Sequence, residues 1–171
     1  EGTNFAAKNL PNAISVIAVA KKGCLLSAPD TYMEKIAIGH GLPEGVVDLD
    51  EKVEVNLREL AKAKCVELSD LVACVLDRPR HDEIIAKCRE VGARIMLIGD
   101  GDVSGVMATS REEAGVDIYM GVGGAPEGVL AAAALRCIGG QMQGRLVFRN
   151  DDERGRAERL GITDFGKKYG L

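Results

Sequence analysis

The sequence predicts an α/β fold, a mostly parallel sheet flanked by helices with part of a second sheet layer near its start. Three observations carry that expectation. From Val53 onward, segments of helical periodicity alternate with short apolar runs. Those runs are short and continuous enough for strands buried on both faces. Residues 13–27 differ, alternating at period two around a Lys21-Lys22-Gly23 turn.

Taken in order, residues 13–27 read as a hairpin of a separate sheet, with Ile14, Val16, Ala18 and Ala20 on one face. Residues 27–50 are rich in Pro, Gly and Asp, with one apolar patch at 36–38, and look like a long excursion between two units. A division into residues 1–50 and 51–171 follows. Val53, Leu57, Leu60 and Ala61 predict a helix over about 54–64. Residues 71–76 are the first doubly buried strand. Ile84, Ile85, Cys88 and Val91 then form one face of a helix at about 81–91. A second buried strand is expected at 93–98, a short helix at 103–107 and a third strand at 116–120. Pro126 near its first position and Gly139-Gly140 beyond its end bracket an Ala-rich helix at 126–137. A fourth strand is expected at 145–148. The charge run at 149–160 reads as a solvated helix or loop.

Composition narrows the function classes. The 171 residues are 46% hydrophobic and 28% charged, which suits one globular domain. With 4% aromatics and no Trp, the core must be built from aliphatic side chains. A net charge of −4 argues against a general nucleic-acid binder and a polybasic membrane anchor. No apolar run approaches the roughly 20 residues that span a bilayer. Cys24, Cys65, Cys74, Cys88 and Cys137 form no C-x-x-C pair and read as small buried hydrophobes in a reducing cytoplasm. Glu1-Gly2-Thr3 is no natural translation start, so a piece of a longer protein is expected.

In an open α/β sheet, ligands bind beyond the carboxyl ends of the strands. That rule selects three segments. Asp77-Arg78-Pro79-Arg80-His81 offers two guanidinium forks that match phosphate oxygens, or else a surface pair held by Asp77 and neighbouring acids. Asp100-Gly101-Asp102 can bind Mg²⁺ or accept from sugar hydroxyls, or Asp102 can cap the next helix. Residues 121–128 are a glycine-rich loop entering a helix, either an anion cradle or a tight strand-to-helix turn. They contain no P-loop signature and no strict G-x-G-x-x-G. Glu127 there either complements the helix dipole or ligates a metal. His40 and His81 are too few for a His-based metal site, and no Ser-His-Asp or Cys-His arrangement is visible. Arginines, acids and an anion-friendly loop on one side of a sheet fit a phosphorylated sugar with a divalent metal.

Six segments stand in a telling order: Glu1-Gly2-Thr3, Asn12-Ala13, the run 28–36 around Thr31-Tyr32, Arg78-Pro79-Arg80-His81, Asp100-Gly101-Asp102-Val103 and Gly123-Gly124-Ala125-Pro126-Glu127-Gly128. Together they resemble the class II fructose-1,6-bisphosphatases, bacterial enzymes of the lithium-sensitive sugar-phosphatase and inositol-phosphatase superfamily. The likeness runs from Glu1 to about Ile162. It implies an incomplete sugar-phosphatase fold in which residues 1–50 are the edge of a first α/β layer. It implies removal of the 1-phosphate of fructose 1,6-bisphosphate to give fructose 6-phosphate, a gluconeogenic step, with Mg²⁺ or Mn²⁺. Only the E-G-T end of the superfamily's D-P-x-[D/E]-G-[S/T] metal segment is present. By the match, Glu1 and Glu127 are metal ligands, and Thr3 orients the attacking water. Glu1, Gly2, Thr3, Tyr32, Arg78, Pro79, Arg80, Asp100, Gly101, Asp102 and Gly124 fall on substrate-contact positions. Sedoheptulose-1,7-bisphosphatase activity and a non-catalytic sugar-phosphate-binding fragment stay open beside this reading. A cytoplasmic homo-oligomer without nucleic-acid or membrane partners is expected.

Overall fold

A computed structural model describes residues 2–171. Its helices are α1 (Thr3–Ala7), α2 (Val53–Lys64), α3 (Asp82–Glu90), α4 (Asp102–Ala108), α5 (Ala125–Ile138) and α6 (Asp151–Arg159). Its strands are β1 (Tyr32–Ile38), β2 (Val72–Leu76), β3 (Arg94–Ile98), β4 (Ile118–Gly124), β5 (Gln141–Val147) and the short β6 (Lys168–Tyr169). All join one sheet in the order β3-β2-β4-β1-β5-β6. β2 is parallel to β3 and β4, β1 is antiparallel to β4 and β5, and β6 is antiparallel to β5. The four strands expected from the sequence, β2 to β5, therefore all point one way. The α/β sheet flanked by helices stands.

Side-chain alternation divides the core between the two faces. Ile36 and Ile38 of β1, Ala73 of β2 and Ile118 and Met120 of β4 pack with Leu57 and Leu60 of α2 and Cys88 of α3. Met33 and Ala37, Cys74 and Tyr119 from the same strands face Val103 and Val106 of α4 and Ala131 and Leu135 of α5. α5 begins as its sequence dictates, with Pro126 in the first turn and the Ala125 N–H donating to the Thr31 carbonyl at 2.8 Å.

Four expectations are corrected. Residues 13–27 form no strand, so the hairpin and its separate sheet are absent from that stretch. Ile17 and Val19 are 86% and 88% exposed, while Val16 and Leu26 pack on the core. An isolated two-stranded ribbon is marginal without a third strand or a covering helix, and period-two alternation does not supply one. The excursion at 27–50 contains β1, an antiparallel strand in the interior of the sheet, so the first 50 residues contribute to the same sheet as the rest. β3, expected to be buried on both faces, is an edge strand with Met96 and Leu97 exposed, because only β2 flanks it. β4 runs to Gly124, so the glycines read as a loop are mostly strand.

Candidate active site

Strand direction decides which residues meet. Leu76 of β2 is level with Ile98 of β3, and Tyr32 at the start of β1 is paired with Gly124 and Val147. The segments after β2, β3, β4 and β5 therefore leave the same end of the sheet. The carboxyl-end rule picked out the first three. Because β1 is antiparallel, its first residue joins them.

On the cationic side, the chain leaves β2 through a tight turn at Pro79–His81 that leads into α3. His81 is fully buried. Its Nδ1–H donates to the Leu76 carbonyl at 2.8 Å, and Nε2 accepts from the Val122 N–H at 2.8 Å, a pairing that assigns the neutral tautomer. Burial holds its pKa below the usual value, and the neighbouring Arg80 and Arg78 add to that against the two backbone hydrogen bonds. The pinned turn delivers Arg80, whose Nε and Nη2 donate to the Val122 carbonyl at 2.9 and 2.7 Å. The guanidinium carbon of Arg80 lies 5.2 Å from the Tyr32 ring centroid. Arg80 and Tyr32 thus converge from positions 48 residues apart in sequence. Arg78 instead donates Nη1 to the Asp77 carbonyl at 2.7 Å. Pro79 stands exposed between the two arginines.

On the acidic side, Asp100 accepts the Asn4 N–H at 3.1 Å, which ties the start of α1 to the loop after β3. Gly2 and the exposed Thr3 are thereby brought beside that loop. Gly101, with a φ of 85°, turns the chain into α4. Asp102 is the first residue of that helix, one place past the cap position, and it is buried. Its Oδ2 is paired with the Lys35 ammonium, which also donates to the Gly124 carbonyl at 3.1 Å. Glu127, in the first turn of α5, folds back over β4. A Cβ placed on Gly124 would stand 1.9 Å from its Oε2, and one on Gly123 would stand 2.2 Å from Asp102 Oδ2. These two glycines are bare so that the chain's own carboxylates can lie against the strand.

Among the described residues, no group of three or more His, Cys, Asp or Glu side chains is placed to hold a metal ion. Glu1, expected as a ligand, lies outside the described residues, and its convergence with Glu127 lies outside them too. Glu127, half-buried at a helix start, has the donor chemistry for a hard divalent ion but supplies one carboxylate of the several such an ion takes.

Sequence reasoning passed over Lys35 and Arg149. A lysine inside an apolar patch carries no sign of its partner. Arg149 lies in the charge run, and its guanidinium carbon is 4.8 Å from the Tyr32 centroid. Asn150 caps α6 by accepting the Glu153 N–H at 2.9 Å, while Glu153 Oε2 accepts the Arg149 N–H at 2.8 Å. The N-x-x-E spacing is a helix-start signature, and it was the available signal. Arg149 holds the buried Glu153 carboxyl down at about 2, chiefly through its side chain and then its N–H, with Thr31 assisting.

The fold and site define an α/β protein that sets a cationic wall and an acidic wall side by side at one end of a sheet. A family model described as bacterial fructose-1,6-bisphosphatase, glpX-encoded, matches residues 1–171, and the chain belongs to that family. It is 46% identical over 151 residues to the fructose-1,6-bisphosphatase class 2 of Haemophilus influenzae. It is 45% identical over 151 residues to the fructose-1,6-bisphosphatase 1 class 2 of Escherichia coli K12. Each alignment covers 88% of this chain and 45% of the relative, so the chain spans about half the length of these relatives.

Proposed function

We propose that the full-length protein removes the 1-phosphate of fructose 1,6-bisphosphate, giving fructose 6-phosphate, as a metal-dependent phosphomonoester hydrolase. In that reaction this chain supplies the sugar-phosphate cradle. One observation carries the reading. Tyr32, with Arg80 stacked on it, is register-paired with Gly124, over which Glu127 folds. Phosphate-gripping and metal-ready groups thus share one end of adjacent strands, in a chain that matches the family throughout.

Arg80 and Arg78 grip the phosphate that is not cleaved, and fixing one end of the substrate orients the other. Asp100, held near α1, accepts from sugar hydroxyls. Asp102, paired with Lys35, shapes the floor under Gly123 and Gly124. Thr3 orients the attacking water. Glu127 and Glu1 would be among the ligands of Mg²⁺ or Mn²⁺, and such an ion, when bound, acidifies water and neutralises developing charge. The reading extends to a cytoplasmic homo-oligomer. Of the five cysteines expected to be buried, Cys74 and Cys88 are, whereas Cys24, Cys65 and Cys137 are exposed, and five free thiols support a reducing compartment. No helix among the described residues is long and apolar enough to cross a membrane.

The test is phosphate release by the full-length protein from fructose 1,6-bisphosphate, with Mg²⁺, with Mn²⁺ and with a chelator. Release that needs the ion, and that Arg80→Ala weakens through KM, is expected. No release with either ion overturns the assignment.

A further inference from the structure

Tyr32 carries two guanidiniums, and only one of them lies in a segment that the sequence marked as phosphate-binding. Arg149 reaches the ring from the opposite end of the sequence, 117 residues after it. Its guanidinium carbon lies 4.8 Å from the ring centroid and that of Arg80 lies 5.2 Å away, so the two cations cannot be further apart than those distances combined. Both are held in the same manner. Arg80 turns its Nε and Nη2 edge to the Val122 carbonyl at 2.9 and 2.7 Å. Arg149 turns the equivalent edge to Glu153 Oε1, with Nε at 2.7 Å. Among the described residues, neither Nη1 has a hydrogen-bond partner.

The support beneath Arg149 is itself anchored. The Glu153 side chain is 1% exposed, and its Oε2 accepts from Thr31 Oγ1 at 2.9 Å. Thr31 precedes Tyr32, so the ring and the guanidinium over it hang from one network. Arg156 ties α6 to the same segment by donating to the Asp30 carbonyl at 3.2 Å. Yet the Arg149 side chain is 58% exposed, so it is fixed without being buried. Two like charges brought to one ring repel, and while Glu153 and, more weakly, Asp30 act on Arg149, Arg80 has only a carbonyl against it. An anion with several acceptor oxygens between the two Nη1 groups relieves that repulsion and accepts from both.

We propose that Arg149 is a substrate-binding residue that closes, with Arg80 across Tyr32, on the phosphate that the enzyme does not cleave. Glu153 is its positioning residue. This rests on the proposed function for the identity of the substrate, and it makes Arg149 a determinant of preference for a sugar bisphosphate over simple monoesters.

The experiment uses the full-length protein and two substrates, fructose 1,6-bisphosphate and p-nitrophenyl phosphate, the second having no distal phosphate. Arg149→Ala is expected to raise KM for the bisphosphate about ten- to hundredfold, the value of a charge-assisted hydrogen bond. It should leave kcat/KM for p-nitrophenyl phosphate within about twofold. Arg149→Lys should recover part of the loss, since charge is kept and the fork is not. If removing Arg149 unfolds the protein by stranding Glu153, the Arg149→Ala, Glu153→Gln double variant takes its place. Calorimetric titration with fructose 6-phosphate, which needs no turnover, gives a second reading. Tighter binding by the wild type than by the variant supports the clamp even if the wild type releases no phosphate, an outcome that would sink the proposed function alone. An equal fall for both substrates, or unchanged bisphosphate KM and fructose 6-phosphate affinity, overturns the assignment.

Discussion

The Lys35 ammonium, 1% exposed in the middle of β1, is paired with Asp102 at the start of α4, beneath two glycines of β4. A central strand, a helix and the glycine run are thereby locked at one point. Removing one partner leaves the other charge buried and alone, which costs more than the pair itself contributes. Lys35→Met is therefore expected to destabilise the full-length protein by about 3–5 kcal/mol in chemical denaturation. The Lys35→Met, Asp102→Leu double variant should recover most of that loss. A single variant as stable as wild type would show that water reaches the pair.

Gly123 and Gly124 separate stability from activity. At Gly124 the obstacle to a methyl group is the end of the half-buried Glu127 side chain, which can swing aside. Gly124→Ala should fold with a near-normal melting temperature and lose about a hundredfold in phosphate release, the cost of a misplaced group. At Gly123 the obstacle is the buried Asp102–Lys35 pair, which cannot move without losing its partner. Gly123→Ala should lower the melting temperature as well.

His81 predicts a pH response. Burial depresses its folded pKa below 6.5, while the unfolded chain titrates near the ordinary value. Below about pH 6.5 the unfolded state then binds a proton that the native state refuses, so stability falls as the pH drops toward the folded pKa. Nitrogen-15 NMR should find a titration midpoint for His81 below 6.5, with the proton of the neutral ring on Nδ1. A midpoint at or above 6.5 would count against the buried assignment.

Glu153 titrates lower. Its carboxyl is depressed from 4.5 to about 2, so the stabilisation it brings is complete above about pH 4.5 and is lost as the pH falls toward 2. The stability difference between wild type and Glu153→Gln should be constant from neutral pH down to that point and then shrink. A difference that is still full-sized at pH 2 would contradict the ionised network.

Legibility in the sequence followed locality. β2, α2 and α5 were readable because each carries its own period or its own punctuation, as Pro126 and Gly139 do for α5. β1 was not, because Glu34 and Lys35 break its apolar run and the Lys35 counter-charge stands 67 residues away. The same limit applies at the site. Arg80 and Asp100 follow strands and were found by the carboxyl-end rule. Arg149 also follows a strand, but charges of both signs surround it, and only the tertiary position of Tyr32 distinguishes it from a solvated neighbour. The hairpin expected at 13–27 shows the converse, local alternation without a partner to pair with.

The place of β1 in the sheet also fixes an order of events. β1 is made before both of its neighbours, residues 118–124 and 141–147. One of its edges stays unpaired until residues 118–124 have left the ribosome and the other until residues 141–147 have, and such long-range pairings close slowly. The Tyr32 subsite is consequently among the last parts to assemble. A nascent chain stopped before β5 has no ring between two arginines and no closed ladder.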